Sequence, residues 1–284
     1  MIWKTTRFEI DLARPRVMGI VNVTPDSFTD GDPALTPARA LAVCERLLVE
    51  GADILDLGGE SSRPGAEPVS VEVELARMLP VLREALRLGC PISVDTSKPE
   101  VMRAALDLGA DIVNDVAALR APGALEVVAA HPSCGVCLMH MRGTPQTMQT
   151  DTHYDDVVAE VVGFLRERLA VLRSAGIASE RIVVDPGIGF GKTAEQNLAV
   201  LHDLDVLATL GRPVLLGTSR KSTIGKVLDL PADERVEGTM ATTALAVAAG
   251  VDIVRVHDVQ PNVRVARMAD AVIRGGWREE RHQR

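Results

Sequence analysis

Residues 36–51 are TPARALAVCERLLVEG, and residues 52–59 continue directly as ADILDLGG. The first stretch is amphipathic, with apolar side chains recurring at the spacing of one helix face. It ends in Gly51, a residue type that often stops a helix. The second stretch is a short run rich in Ile and Leu without clean polar alternation, as in a strand that is buried on both faces. The two stretches predict a helix followed by a strand of a parallel sheet.

The same alternation recurs along the whole chain. Helical segments lie between short apolar runs, and several of them end in Gly51, Gly89, Gly109, Gly176 or Gly250. In a chain of 284 residues, this pattern predicts an α/β fold with a single (β/α)₈ barrel, although an open doubly wound sheet would show the same alternation. We treat residues 1–284 as one domain, with the barrel proper at about 17–275 and a short hairpin within residues 1–16 that closes one end. The eight predicted strands are residues 17–23, 52–59, 91–96, 111–116, 135–141, 182–187, 213–218 and 252–258.

The bulk composition is that of an ordinary globular protein. Hydrophobic residues make up 46% and charged residues 25% of the chain, and the formal net charge is −8. A nucleic-acid surface needs clustered Lys and Arg, so this charge balance argues against a nucleic-acid partner. No apolar run approaches the ~20 residues of a membrane helix, and residues 1–16 lack the apolar stretch of a secretory signal. We therefore expect a cytoplasmic protein without a membrane partner.

The cysteines raise the question of a metal or redox site. Cys134 and Cys137 form a C-x-x-C pair, a spacing that occurs in zinc and thiol redox centres. A structural zinc site needs a second pair of ligands, and none stands at a suitable spacing. Cys137 also lies inside GVCLMHM, which has the pattern of a buried strand. We favour four reduced, scattered cysteines, as is usual in cytosolic proteins.

Polar residues gather at the ends of the predicted strands. In a barrel these ends open onto one face, where active sites are built. A single Asp or Asn at such a place is more often a helix cap or a turn former than a catalyst, so it is their coincidence on one face that points to function. The residues are Asn22, Glu60, Asp95, Asn114, Asp115, His140, Asp185, Lys221, Arg255 and His257.

Three Gly- and Pro-containing loops follow these strands. NVTPDSFTDGDP (22–33) and GGESSRPGAEPVS (58–70) have the composition of lids over an active site, or of ordinary surface turns. The third, DPGIGFGKTAEQN (185–197), invites comparison with a phosphate-binding loop of nucleotide-binding proteins, but Pro186 stands where the first Gly of that motif belongs. We therefore reject an ATP site, and expect the glycines to let a flat ligand approach the backbone.

Taken in order, the motifs at the strand ends identify a family. They are NVTPDSFTDGD, GGESSRPGAEP, SVDTSKPEV, NDV, LMHMRGTPQTMQ, VDPGIGFGKT, GTSRKSTIG and RVHDV. Together they resemble the dihydropteroate synthases, over most of the chain from Val17 to beyond His257. The departures are small: Asp32 and the residues after it replace a Gly-rich continuation of the first loop, and Thr223 stands where an aromatic residue is common.

The resemblance implies a transferase that joins 6-hydroxymethyl-7,8-dihydropterin pyrophosphate to 4-aminobenzoate and releases pyrophosphate. It also implies Mg²⁺, with Asn22 as an oxygen ligand, and a homodimer formed through the late barrel helices. The pterin-binding positions would be Asp95, Asn114, Asp185 and Lys221, of which Asp95, Asp185 and Lys221 are the candidate catalytic residues. The pyrophosphate-binding positions would be Asn22, Arg63, Arg255 and His257. The 4-aminobenzoate-binding positions would be Ser62, Arg63, Pro64, Phe190 and Ser222.

The chemistry of these side chains agrees with the implied ligands. A carboxylate such as Asp185 can accept hydrogen bonds from a pterin 2-amino group and the adjacent ring N–H, and Lys221 can donate to ring acceptors. The planar fork of Arg255 suits phosphate, and Pro261 is a good first-turn residue for a helix that would add a phosphate site. An arylamine is a weak nucleophile with no obvious strong base beside it, which favours departure of pyrophosphate before the amine attacks.

Two alternatives stay open. A different pterin-binding barrel, such as a methyltetrahydrofolate methyltransferase domain, would not need Asn22, Arg255 and His257. A catalytically silent paralogue that binds pterin would be expected to lose members of the ligand set, and none is lost here.

Overall fold

Eight parallel strands form the centre of the structure, a computed structural model that describes residues 1–24 and 36–275. They are β3 (Arg16–Asn22), β4 (Ile54–Gly58), β5 (Ile92–Asp95), β6 (Ile112–Asp115), β7 (Gly135–Met139), β8 (Ile182–Asp185), β9 (Leu215–Leu216) and β10 (Ile253–Val256). Each strand from β3 to β8 pairs with the next, and β10 lies between β3 and β9. A parallel bridge from Val184 to Val214 joins β8 to the residues before β9, so the ring is nearly continuous. The predicted barrel is confirmed, and an open sheet is excluded.

Helices surround this ring. The predicted helix stops are confirmed, because Gly51, Gly89, Gly109, Gly176 and Gly250 have φ values between 72° and 103°, in the left-handed region where a side chain would be strained. None of the helices in the described part of the chain combines the length and the apolar character needed to cross a membrane. The helices are α1 (Pro37–Val49), α2 (Val71–Ala85), α3 (Pro99–Leu108), α4 (Ala124–Ala130), α5 (Val157–Ser174), α6 (Ala194–His202), α7 (Ser222–Leu228), α8 (Val236–Ala248) and α9 (Val259–Ile273).

The predicted hairpin plugs the end of the barrel at which the strands begin. It consists of β1 (Ile2–Lys4) and β2 (Glu9–Asp11), which pair antiparallel. Trp3 is fully buried, and its indole Nε1 donates a hydrogen bond to the carbonyl of Arg181 at 2.8 Å. The hairpin side chains pack on the inward-facing residues of the strands, and these are Met18, Ile54, Ile112, Cys137, Val183, Leu215 and Ile253. With this end filled, the opposite end is the one that carries the polar residues.

The cysteines lie in the core. All four are buried and free. Cys137 lies on β7, and burial raises its pKa far above the ordinary value, so the thiol stays protonated. The Sγ atom of Cys134 accepts a hydrogen bond from Arg181 at 3.1 Å. These thiols pack as small apolar groups.

Candidate active site

The strand ends bring the predicted polar residues onto one face of the barrel. In the strand register, Asn22 of β3 is level with Gly58 of β4, which is level with Asp95 of β5, and Asp95 is level with Asn114 of β6. Asp185 ends β8, and Arg255 lies on β10 beside β3. Residues far apart in the sequence therefore share one rim because parallel strands end on the same side.

Arg255 forms the centre of the arrangement. Its Nε donates to Asp56 Oδ2 at 2.6 Å, and its second terminal nitrogen (NH2) donates to Asp95 Oδ2 at 2.7 Å. Asn114 Nδ2 donates to the same Asp56 oxygen at 3.1 Å. One guanidinium thus joins β4, β5 and β10, and the Asp56 carboxylate links it to β6.

Burial shapes the charge of this cluster. The side chain of Asp56 is fully buried, and its Oδ1 has no hydrogen-bond partner among the described residues. Burial raises the pKa of Asp95, and the Arg255 guanidinium acts in the opposite direction. Burial lowers the pKa of Arg255, but Asp56 and Asp95 bring it above its ordinary value. The carboxylates and the guanidinium therefore depend on one another for their charge.

A second cluster surrounds Asp185 and Lys221. Asp185 Oδ1 accepts a hydrogen bond from the backbone N of Gly187 at 2.7 Å, and burial raises the pKa of this carboxyl. Lys221 Nζ donates to the carbonyl of Ile188 and lies 4.6 Å from the centre of the Phe190 ring. Burial lowers the pKa of Lys221 to about 8, while Asp185 acts to raise it. An acceptor, a donor and an aromatic ring therefore stand together at the end of β8.

His257 lies beside a further polar group at the end of β10. Its Nδ1 is 3.0 Å from Ser219 Oγ, which also accepts the backbone N–H of His257 at 3.1 Å. Burial lowers the pKa of His257 to about 3, and the positive charges of Arg255, Arg220 and Arg63 act in the same direction. The imidazole is therefore neutral at physiological pH, although Asp258 acts to raise its pKa.

The residues predicted for 4-aminobenzoate lie on separate loops. Ser62, Arg63 and Pro64 belong to the β4 loop, defined here as residues 61–68, whose tip is exposed. The backbone N of Gly65 donates to the carbonyl of Pro145 at 3.1 Å, so the loop after β7 supports this tip. Phe190 lies on the loop after β8 against Met139, Met141 and Met148, and Ser222 is the exposed first residue of α7.

Part of the predicted site cannot be placed. Asn22 is described, but residues 25–33 of the first Gly- and Pro-containing loop lie outside the described residues, and so does the departure at Asp32. The other departure, Thr223, is buried at the start of α7. Its hydroxyl is 3.0 Å from Asn197 Nδ2, and Asn197 Oδ1 accepts the backbone N–H of Gly189 at 2.8 Å. Thr223 therefore helps to hold the loop that carries Phe190.

Comparison with known proteins decides the family. Residues 18–257 match the family described as pterin binding enzyme. The dihydropteroate synthase of Neisseria meningitidis serogroup B is 50% identical over 277 residues, which cover 95% of this chain and 97% of that protein. The chain belongs to the dihydropteroate synthase family. This membership excludes the methyltransferase-like alternative.

Solved structures of the family have the same fold. The dihydropteroate synthase of Xanthomonas albilineans with 4-aminobenzoic acid is 48% identical, has a TM-score of 0.90, and covers 96% of this chain and 98% of that one. The enzyme of Burkholderia cenocepacia complexed with 7,8-dihydropteroate is 45% identical, has a TM-score of 0.89, and covers 98% of each chain. The barrel with its polar rim is therefore that of a dihydropteroate synthase.

Sequence reasoning missed several residues of this dihydropteroate synthase site. Asp56 lies inside the apolar run ILDLG. An acidic residue in a strand that is otherwise apolar could have indicated a functional side chain. Ser219 gave no signal beyond its place in GTSRKSTIG. Lys192, considered above only for a phosphate loop, is buried, and its Nζ donates to the carbonyls of Gly187 and Phe190 at 2.9 and 3.2 Å.

His140, predicted at a strand end, is buried and supports the loop after β8. Its Nδ1 is 2.9 Å from Lys192 Nζ, and its ring packs edge-on against Phe164. Burial and the nearby Lys192 lower the pKa of His140 to about 2, so the imidazole is neutral and accepts from the lysine. The His140–Lys192 pair therefore supports the loop after β8 through the carbonyls that Lys192 binds.

Proposed function

We propose that this dihydropteroate synthase condenses 6-hydroxymethyl-7,8-dihydropterin pyrophosphate with 4-aminobenzoate to give 7,8-dihydropteroate and pyrophosphate. The observation that carries the proposal is the convergence of Asp95, Asn114, Asp185 and Lys221 around Arg255 at one end of the barrel. The ligands of the two related structures, 4-aminobenzoic acid and 7,8-dihydropteroate, are the second substrate and the product of this reaction.

The pterin would lie between the two clusters. Asp185 would accept hydrogen bonds from the 2-amino group and the adjacent ring N–H, and Lys221 would donate to ring acceptors. Asn114 offers both a donor and an acceptor. Asp95 and the neighbouring Asp56 supply negative charge to a cationic intermediate, in a buried site where such charge is most effective.

The pyrophosphate would lie near Asn22, Arg63, Arg255 and His257. Asn22 would be the Mg²⁺ ligand, because it supplies an amide oxygen at the end of β3, and this Oδ1 lies 3.9 Å from where a Cβ on Gly58 would stand. Mg²⁺ takes few ligands from the protein and keeps several waters, so most of its other ligands would be pyrophosphate oxygens. When bound, the ion would neutralise charge on the departing pyrophosphate.

The order of bond changes follows from the weak nucleophile. The bond from the pterin methylene carbon to the pyrophosphate oxygen breaks first, and pyrophosphate keeps the electron pair. The resulting pterin cation is resonance-stabilised, and the arylamine nitrogen then forms the new bond and releases its proton to solvent. Asp95 would stabilise the developing positive charge, and the Arg255 guanidinium, which is bonded to Asp95, would bind the leaving anion.

Turnover with both substrates tests the proposal. Mixing the pterin pyrophosphate and 4-aminobenzoate with the enzyme and Mg²⁺ should release pyrophosphate and give a product with the mass of 7,8-dihydropteroate. Omission of 4-aminobenzoate should abolish formation of that product. A folded protein that binds the pterin but releases no pyrophosphate would instead be the silent paralogue.

We predict ordered binding, with 4-aminobenzoate binding at least about tenfold more weakly when pyrophosphate and Mg²⁺ are absent. The β4 loop has an exposed tip, and ordering each backbone residue costs roughly 1–2 kcal/mol. Bound pyrophosphate could hold this loop through Arg63, so the second ligand would meet a formed slot. Equilibrium binding of labelled 4-aminobenzoate, with and without pyrophosphate and Mg²⁺, measures the effect. Equal affinities would contradict ordered binding.

We also propose a homodimer in the cytoplasm. The packed helices α8 and α9 expose large apolar side chains, with exposed fractions of 64% for Leu245, 65% for Met268 and 71% for Val272. Apolar residues clustered on neighbouring helices are typical of an interface between subunits. Sedimentation should give a dimer for the wild type and a monomer for Leu245→Glu.

The proposed cytoplasmic location is supported by the cysteines. All four are free and buried, as is usual in a reducing compartment.

A further inference from the structure

One side chain ties the two ends of the β4 loop together. Glu60 directly precedes the loop, and its Oε1 accepts a hydrogen bond from the backbone N of Val69 at 2.8 Å. The two residues are nine positions apart, so this contact closes the base of the loop. The second carboxylate oxygen, Oε2, accepts a hydrogen bond from Lys98 Nζ at 2.8 Å. The base of the loop is therefore fixed to the protein by Lys98, while Arg63 and Pro64 at the tip remain exposed.

A buried carboxylate holds the other side of the Lys98 ammonium. Lys98 Nζ donates to Glu74 Oε2 at 2.6 Å, and the Glu74 side chain is fully buried on α2. The other oxygen, Oε1, has no hydrogen-bond partner among the described residues, which leaves Lys98 to offset the buried charge. A buried charge without its partner is strongly unfavourable, so Glu74 fixes the position of the ammonium.

The backbone next to Glu60 is closely packed against the helix that carries Glu74. A Cβ on Gly59 would lie 3.0 Å from Glu74 Cγ and 3.2 Å from the Glu74 carbonyl oxygen. Arg77 also donates to the carbonyl of Gly59 at 3.1 Å. Helix α2 therefore packs directly against the end of β4, next to Glu60.

Lys98 belongs at the same time to the segment that supports the pterin residues. It occupies the N-cap position of α3, three positions after Asp95. Its backbone N donates to Thr96 Oγ1 at 3.2 Å, and Ser97 Oγ donates to Asp115 Oδ1 at 2.6 Å. The Lys98 ammonium thus links the loop after β5, next to the pterin cluster, to the loop after β4.

We propose that Glu60, Lys98 and Glu74 form a positioning triad that sets the β4 loop relative to the pterin site and so determines the affinity for 4-aminobenzoate. The inference rests on the proposed function, because that function assigns Ser62 and Arg63 to 4-aminobenzoate. None of the three residues is among those that the proposed function assigns to a substrate; they act through the loop that they hold. Loss of the triad should move the loop and leave the pterin cluster in place, since Asp95 is held separately by Arg255.

The decisive variant is Glu60→Gln. Glutamine keeps an acceptor for the Val69 N–H but removes the negative charge opposite Lys98, and the Lys98–Glu74 pair remains intact. We expect the KM for 4-aminobenzoate to rise about tenfold, while kcat and the Kd for a pterin lacking phosphates stay within about twofold. A residue with only a structural role would lower the Tm without this separation of KM from kcat and from pterin affinity.

Lys98→Met removes both ion pairs and should raise the same KM further. This variant leaves Glu74 buried and unpaired, so its KM is compared with that of the wild type only if its Tm shows a folded protein. If it does not fold, Glu60→Gln alone tests the positioning triad. Glu84→Gln is the matched control, since it removes an exposed ion pair with Arg87 near the far end of α2 and should change neither constant.

The outcomes separate the two levels of inference. Wild-type protein that fails to turn over would overturn the proposed function itself. Wild-type turnover combined with an unchanged 4-aminobenzoate KM in Glu60→Gln would overturn only the positioning triad. Equal losses of pterin and 4-aminobenzoate binding would also overturn it, because the triad would then support the whole site rather than the β4 loop.

Discussion

Replacing Asp185 by Asn is expected to weaken pterin binding by about 10- to 150-fold, the range that corresponds to losing a charge-assisted hydrogen bond worth about 1.5–3 kcal/mol. The carboxylate offers only acceptors to the pterin 2-amino group and ring N–H, whereas the amide turns one of them into a donor. Burial raises the pKa of Asp185, and the positive charge of Lys221 acts in the opposite direction. Calorimetric titration with a pterin lacking phosphates measures the loss directly.

The substitution should leave the fold intact. The new amide side chain would keep an oxygen to accept the Gly187 N–H, which is the contact that shapes the loop after β8. That loop packs tightly, because a Cβ on Gly187 would overlap the carbonyl oxygen of His140. A folded Asp185→Asn protein with unchanged pterin affinity would remove Asp185 from the pterin site.

Replacing Arg255 by Met should have the largest effect on stability of any single change at the site. Two carboxylates, the fully buried Asp56 and the largely buried Asp95, would lose the guanidinium that binds them at 2.6 and 2.7 Å. Breaking a buried ion pair by removing one partner typically costs about 3–5 kcal/mol. Urea unfolding measures the change. Arg46→Met, which removes an exposed pair with Glu50, should cost no more than about 1 kcal/mol.

The same variant tests whether Arg255 acts on the leaving group. If it does, pyrophosphate binding should weaken far more than binding of a pterin lacking phosphates, in protein shown to be folded. The hydrogen bonds to Asp56 and Asp95 place the guanidinium within the carboxylate cluster assigned to the pterin, so the comparison is informative. Equal losses for the two ligands would assign Arg255 to the pterin side instead.

Much of the fold could be predicted from local patterns. Eight buried apolar runs between amphipathic segments predicted the barrel, because the sequence of each segment shows the periodicity of side-chain burial of a strand or a helix. Glycines that follow helices predicted the left-handed stops at Gly51 and Gly109. The strand-end positions of Asp95 and Asp185 also followed, since in a parallel barrel every strand end lies on the same rim.

The sequence by itself thus determined the alternation of strands and helices, the polar residues at the strand ends and, through eight ordered motifs, the family, whereas an open sheet was excluded only by the pairing of the strands. Only the tertiary structure decided which polar residues meet. Asp56 and Arg255 are 199 positions apart, and their contact depends on strand register and on the closure of the ring. Lys98 reaches Glu60 and Glu74 because α2 and the loop after β5 pack against the end of β4. Such contacts join single side chains on separate elements, so no local sequence periodicity predicts them. Burial and the closure of the ring bring these side chains within hydrogen-bonding distance.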